Sequence, residues 1–298
     1  MKKLILSALL AFASLNTPLL AQTFEIEGHR GSRGLMPENT IEAFKKAIDL
    51  GVNTLELDVC ITKDNKVVVS HEPYMLAQYM SKPDGTPVSK QEEKSLNLYQ
   101  MTYKEIKQYD SGIRGNAGFP EQQKVSTYKP LLSEMIKACE AYIKKNGLPP
   151  VKYNVEIKSG EKEYGIYQPA TVEEFSDLVH KDLKKLLPAD RIILQSFDFA
   201  VLKHWKKQID AGKYMPVQLS ALTGELGPEA TFDALGFLPV YYSPYFKLVT
   251  PERVKACHDK NVKLMPWTVN EISDMKKMKE LGTDGLITDY PDRVKSIQ

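Results

Sequence analysis

The chain has 298 residues, of which 42% are hydrophobic and 26% charged, with 40 Lys and Arg against 38 Asp and Glu. That is ample for one large core, and the charge is too evenly balanced for a protein that grips nucleic acid or an anionic membrane by electrostatics. Three widely spaced cysteines, Cys60, Cys139 and Cys257, imply neither a disulfide framework nor a zinc site.

Met1-Lys2-Lys3 is basic, Leu4 to Ala13 is apolar but for Ser7, and Pro18 precedes Leu19-Leu20-Ala21-Gln22. This layout predicts a secretory signal peptide over residues 1–21 and an exported chain over 22–298, periplasmic in the first instance and otherwise secreted. No later stretch has the ~18 apolar residues of a membrane span. Strands are predicted at Phe24–Gly28, Thr54–Ile61, Lys66–Ser70, Tyr153–Ile157, Arg191–Gln195, Pro216–Leu219, Val240–Ser243, Val262–Val269 and Gly285–Thr288. Helical periodicity falls between them, at Thr40–Leu50, Leu131–Lys145, Thr171–Leu187, Asp198–Ile209, Pro251–Asp259 and Ile272–Leu281. Such alternation predicts a parallel α/β fold, with a (β/α)8 TIM barrel preferred to an open sheet.

Only Thr62–Asn65 separates the second and third strands, too few residues for a parallel crossover, so a hairpin is expected there. Folding the chain between Asp64 and Asn65 sets Asp58 opposite His71 and leaves eight barrel strands. Residues 72–130, rich in Pro and Gly with one short helical stretch near Thr102–Tyr109, read as a lobe inserted over the barrel mouth.

The chemistry-bearing residues cluster at predicted strand ends. Glu56 and Asp58 are two apart on a strand and share a face, and Glu156 and Lys158 repeat that spacing. Three carboxylates converging at a barrel mouth repel one another unless a cation joins them, and hard oxygen donors favour Ca²⁺ or Mg²⁺. The alternative for each carboxylate alone is a solvated strand end or a surface ion pair. His29 and His71 are the groups able to move protons near neutral pH. Arg30 offers a forked donor to phosphate, Lys158 a point charge, and Gly31 leaves room for phosphate to approach the backbone. His180, His204 and His258 are expected on helix surfaces, and the pairs Lys184-Lys185, Lys206-Lys207 and Lys276-Lys277 on solvated faces.

His29-Arg30-Gly31, Pro37-Glu38-Asn39-Thr40, Glu56-Leu57-Asp58-Val59, Thr62-Lys63-Asp64, His71, Glu156-Ile157-Lys158, Trp267-Thr268-Val269-Asn270 and Gly285-Leu286-Ile287-Thr288-Asp289 together resemble the glycerophosphodiester phosphodiesterase family, from about residue 24 to 295. The resemblance implies a (β/α)8 barrel of the phospholipase-C-like phosphodiesterase type, with an insertion after the second histidine. It implies hydrolysis of a small-molecule glycerophosphodiester to glycerol 3-phosphate and an alcohol. It also implies His29 and His71 as the acid/base pair, Glu56, Asp58 and Glu156 as ligands of one divalent cation (Ca²⁺ ahead of Mg²⁺), Arg30 and Lys158 as phosphate contacts, and Gln195, Phe197 and Trp267 as pocket lining. The chain departs from many relatives in having His71-Glu72 where they have His-Asp. Competing readings are a sphingomyelinase D-like or phospholipase D-like enzyme acting on intact lipid, a non-catalytic barrel that binds at its mouth, and an amidohydrolase, which would want an HxH strand that is not present. The preferred alcohol and the oligomeric state are not readable from sequence.

Overall fold

The computed structural model describes residues 24–297; the leader expected over 1–21 lies outside the described residues. The elements run β1 (Glu25–Gly28), α1 (Ile41–Asp49), β2 (Thr54–Ile61), β3 (Val67–Val69), α2 (Tyr103–Ile106), α3 (Leu132–Asn146), β4 (Lys152–Ile157), α4 (Val172–Leu186), β5 (Ile192–Ser196), α5 (Phe199–Asp210), β6 (Gln218–Thr223), α6 (Pro228–Leu235), β7 (Tyr241–Pro244), α7 (Pro251–His258), β8 (Lys263–Leu264), α8 (Ile272–Glu280) and β9 (Gly285–Thr288). Eight strands lie parallel in the order β8-β7-β6-β5-β4-β2-β1-β9, with β3 antiparallel on β2. Asp284 N donates to Leu264 O at 3.1 Å and Ile287 N to Pro266 O at 2.9 Å, joining the two ends into a nearly closed barrel.

Strand alternation builds the two environments that the barrel needs. On β2, Leu55, Leu57 and Val59 pack outward with Phe44 of α1, Ile136 of α3 and Phe175 of α4 in the main core. Thr54, Glu56 and Asp58 alternate with them and turn inward, all buried. Helix starts are set by side chains that satisfy free N–H groups: Thr40 accepts from Ala43 N, Thr171 from Glu174 N, and Thr250 from Arg253 N. The helix α6 has no counterpart among the predicted segments. It is eight residues long, started by Pro228 and stopped by Gly236 at φ 76°, and buries only Pro228, Thr231, Phe232 and Leu235, too short a stripe for periodicity to reveal. The strand predicted over 262–269 shrinks to Lys263–Leu264, although Met265 N and Trp267 N still donate to Tyr242 O and Pro244 O of β7 beyond it.

The hairpin forms, but one residue out of the expected register. Val59 pairs with Val69 and Ile61 with Val67, and Ser70 N donates to Asp58 O, so Asp58 faces Ser70 rather than His71. The loop is Lys63-Asp64-Asn65 closed by Thr62 and Lys66, with Asn65 left-handed at φ 55°, a three-residue turn in place of the symmetric one assumed. Beyond it, residues 72–130 hold two 3₁₀ turns, Glu93–Ser95 and Leu98–Gln100, and the single-turn α2. They share a small core of Met75, Tyr79, Met80, Val88, Leu98, Tyr103 and Ile106 with Cys60 and Val68 of the hairpin. The segment bonds to loops beyond the C-terminal ends of β1 and β4, Gln122 Nε2 to Arg33 O and Asn97 Nδ2 to Ile166 O, both at 2.8 Å.

Two histidines are not where the sequence puts them. His180 is buried, stacked on Tyr214 with ring centroids 4.1 Å apart, and accepts from Met215 N at 3.2 Å. His204 is half-buried between Glu173 and Tyr214. Both lie on the seam between α4 and α5, where Tyr214 packs against both rings. His258 is exposed, as expected, and the three cysteines are free and buried.

Inside the barrel a polar chain runs from the floor to the mouth. Asn154 Nδ2 donates to Glu27 Oε2 at 2.7 Å and to Gln195 Oε1 at 3.0 Å, and Gln195 Nε2 donates to Glu56 Oε1 at 2.8 Å. Burial is the main force on Glu27; the bond from Asn154 opposes it, and the carboxyl is pushed up to about 7. A carboxyl raised on folding contributes stability that is complete below its ordinary value and is lost as pH rises through its folded value. Glu27→Gln keeps an acceptor for Asn154 and removes the charge. Chemical denaturation at pH 5 and pH 8 is therefore expected to show the wild type losing about 2–3 kcal/mol relative to this variant as pH rises; parallel behaviour of the two proteins would refute the assignment.

Candidate active site

The loop after β1 is shaped by its backbone. Arg30 and Gly31 are both left-handed, at φ 49° and 85°, and Asn39 follows at 57°. A Cβ on Gly31 would lie 2.6 Å from the Ala43 carbonyl carbon, so the close approach of α1 by itself requires a glycine here. Arg30, with no such freedom, is held there by its own bonds: its N–H donates to Glu56 Oε2 at 2.9 Å and its carbonyl accepts from Asn39 N at 3.0 Å. Glu38 bonds two guanidinium groups, Arg30 Nη1 on Oε1 and Arg33 Nε on Oε2, each at 2.7 Å.

Strand register then aligns the acids. Asp58 is the Cα partner of Glu156, and Glu156 of Gln195, across β2, β4 and β5. Glu56, Asp58 and Glu156 are all buried and offer ligand oxygens within 4.8 Å of one another. At an effective dielectric near 20, each like-charged pair at that separation repels by about 3–4 kcal/mol. Burial, then the charges of Asp58 and Glu156, push Glu56 well above the carboxylate range. Glu156 rises to about 7, by burial against the opposing pull of Lys158. For Asp58 burial acts upward too, but His71, Arg30, Lys158 and the Asn39 amide (Nδ2 to Oδ2, 2.9 Å) hold it far below. Among the described residues, Asp58 Oδ1 and Glu156 Oε2 accept no hydrogen bond. Three clustered hard oxygen donors, two of them with an oxygen that accepts no hydrogen bond, fit a divalent cation.

Two histidine–carboxylate pairs belong to the same site. His29 Nδ1 lies 2.6 Å from Asp289 Oδ1, and its Nε2 is 4.0 Å from Glu56 Oε2. Burial lowers the His29 pKa, and Asp289 recovers part of that. Asp289 is itself pushed up by burial and brought down to about 2 by His29, with Asn270 Nδ2 donating to its other oxygen at 2.7 Å. His71 Nδ1 is 2.7 Å from Glu72 Oε1, so glutamate reaches as a shorter acid would have to. In both pairs, with Nδ1 as donor, Nε2 is the free nitrogen.

His29, Arg30, Glu56, His71, Glu156 and Lys158 line one cavity of about 220 Å³. Lys158 Nζ is 3.2 Å from Glu156 Oε1, and Arg30 Nη2 has no hydrogen bond among the described residues. On the far wall, Phe197 is 42% exposed and meets Trp267 edge-on at 5.4 Å, while Trp267 Nε1 donates to Ser243 O. Gln195 reaches the cavity but is spent mainly on Glu56 and Asn154. Sequence reasoning gave no role to Asp289, Asn39, Glu38 or Arg33. The first three stood inside quoted motifs, and Asp289 follows β9 as His29 follows β1, which was the available signal.

The glycerophosphoryl diester phosphodiesterase family model matches residues 29–293. A glycerophosphodiester phosphodiesterase of Caldanaerobacter subterraneus is 31% identical over 264 residues, covering 89% of this chain and 93% of that one. Another from Bacillus altitudinis is 30% identical over 281 residues, covering 92% and 98%. A Silicibacter pomeroyi crystal structure described as a glycerophosphoryl diester phosphodiesterase superposes with a TM-score of 0.79 at 30% identity, covering 93% of each chain. An Oleispira antarctica phosphodiesterase, solved with the product sn-glycerol-3-phosphate, shares the fold, with a TM-score of 0.70 at 21% identity, covering 92% and 96%. This chain belongs to the glycerophosphoryl diester phosphodiesterase family.

A cation that binds only the folded chain stabilises it by mass action, by about 2.7 kcal/mol at a hundred times its dissociation constant. Scanning calorimetry with millimolar Ca²⁺ is expected to raise the Tm of the wild type by several degrees and that of Asp58→Asn by much less; an equal rise in both would place the cation elsewhere.

Proposed function

We propose that this protein is a metal-dependent hydrolase that splits glycerophosphodiesters into glycerol 3-phosphate and an alcohol. The observation that carries the reading is the placement of two His–carboxylate pairs, His29–Asp289 and His71–Glu72, around one carboxylate cluster. A P–O cleavage needs a base for the nucleophile and an acid for the leaving alkoxide, and this arrangement offers one imidazole for each. Each carboxylate fixes its ring and stabilises the imidazolium once a proton is gained. Arg30 and Lys158 would bind phosphate oxygens and orient the diester between the two rings.

Glu56, Asp58 and Glu156 would hold the cation, with Ca²⁺ preferred to Mg²⁺ because bulky protein carboxylates suit the larger, less rigid ion. When bound, the cation supplies positive charge to the phosphoryl oxygens and lowers the pKa of a bound hydroxyl. Gln195, by donating to Glu56 Oε1, orients that carboxylate, and Phe197 and Trp267 offer apolar surface to the organic part of the substrate. The family membership, the two glycerophosphodiester phosphodiesterases at 30–31% identity and the product complex of the more distant Oleispira protein support the substrate class. The basic and apolar N-terminal sequence supports export, with the periplasm as the site of action. No helix among the described residues is long and apolar enough to cross a membrane.

The test is release of glycerol 3-phosphate from glycerophosphocholine by the mature chain, with Ca²⁺, with Mg²⁺ and with chelator. Release is expected with the cation and not with chelator, and His29→Ala and His71→Ala should each lower kcat by about 10²–10⁴-fold. Asp289→Asn should lower kcat by about 10²-fold or more with KM little changed, because it disturbs only the ring's tautomer and charge. No release by folded protein under any condition, or full activity in His29→Ala, would refute the reading.

A further inference from the structure

Arg33 has no part in the site as the sequence describes it, yet its side chain lines the catalytic cavity. Its Nε is tied to Glu38, and among the described residues neither Nη makes a hydrogen bond. Glu38 carries one charge and serves two guanidinium groups, so the Arg30–Arg33–Glu38 cluster keeps a surplus positive charge at the cavity wall. Arg33 is also held from outside the barrel. The Phe119 ring lies 4.4 Å from its guanidinium carbon, a cation–π contact, and Phe119 in turn leans on Tyr290 at 6.4 Å. Gln122 Nε2 donates to Arg33 O at 2.8 Å, and Gln123 N to Leu35 O at 2.9 Å. Three contacts, from Phe119, Gln122 and Gln123, therefore clamp Arg33 and the loop that bears it, and Arg33, its side chain 24% exposed, is among the residues that line the cavity.

We infer that Arg33 is a second phosphate-binding arginine, positioned by Phe119 and Gln122 of the 72–130 segment. A planar guanidinium with Nε fixed and two free Nη groups presents two parallel N–H donors, a geometry that matches two oxygens of one phosphoryl group. Lys158, paired with Glu156, and Arg30, bonded to Glu38 and close to Asp58, are both more heavily engaged. The 72–130 segment thereby gains a role in the site: it aims a substrate-binding residue without itself reaching the reacting atoms. This inference rests on the proposed phosphodiesterase reading for the identity of the phosphate ligand.

The test is calorimetric titration of the full mature chain with sn-glycerol 3-phosphate, and separately with uncharged glycerol, in calcium-containing buffer. The variants are Arg33→Gln, which keeps an amide for Glu38 but no charge, Arg33→Lys, Phe119→Leu and the double variant Arg33→Gln/Phe119→Leu. Arg33→Gln should weaken glycerol 3-phosphate about tenfold or more, Arg33→Lys about threefold and Phe119→Leu about threefold, with glycerol unaffected. Phe119→Leu should add nothing in the Arg33→Gln background, a non-additivity that general loosening of the fold would not produce. Undiminished binding of glycerol 3-phosphate by Arg33→Gln, equal loss for glycerol, additive effects in the double variant, or no binding by the wild type would each overturn the inference. Arg33-dependent binding in a wild-type chain that fails to hydrolyse glycerophosphocholine would sustain the inference while overturning the enzymatic reading.

Discussion

Three carboxylates brought within 4.8 Å of one another in a buried barrel mouth are the constraint on which the rest of the site depends. With all three ionised, their mutual repulsion would be of the same order as the net stability of a whole domain, about 5–15 kcal/mol, so the fold must counter it locally. It does so from several directions. The Arg30 N–H and the Gln195 amide bond to Glu56, Asn39 bonds to Asp58, and Lys158 lies against Glu156. None of these fills every lone pair, and a bound cation would complete the arrangement. The left-handed turn at Arg30-Gly31 belongs to the same solution: it aims a backbone N–H at Glu56 and packs the loop on α1 too closely for any side chain at position 31.

The two histidine–carboxylate pairs beside that cluster are assembled in different ways. His29 follows β1 and takes its carboxylate from beyond β9, 260 residues away, which is possible only because β1 and β9 are neighbours in the barrel. His71 follows the return strand of the hairpin and takes its carboxylate from the next residue. The barrel thus supplies one dyad by closure and the other by local sequence. The 72–130 segment ties the loops beyond β1 and β4 together over the same face.

Much of this was legible from the sequence, for identifiable reasons. Glu56 with Asp58, and Glu156 with Lys158, declare themselves because strand side chains alternate and a core would not place charge at i and i+2. The helices with a long apolar stripe were found within a residue or two of their ends. What stayed hidden depended on facts that periodicity does not encode. Asn65 adopts a left-handed conformation and makes a three-residue loop, so the hairpin register moved by one and Asp58 met Ser70. His180 sits among lysines in sequence but faces Tyr214 across a helix seam. Asp289 and Arg33 acquire meaning only from partners, His29, Glu38 and Phe119, that tertiary structure brings to them.

The central claim is that Glu56, Asp58 and Glu156 form one cation site at the heart of the catalytic cavity. The most direct measurement is anomalous diffraction from crystals of the mature chain soaked in Mn²⁺, an oxygen-seeking stand-in with a strong anomalous signal. The account predicts a single dominant peak within about 2.0–2.6 Å of oxygens from all three residues. A dominant peak elsewhere on the molecule, or full-length soaks that leave this position empty, would contradict it.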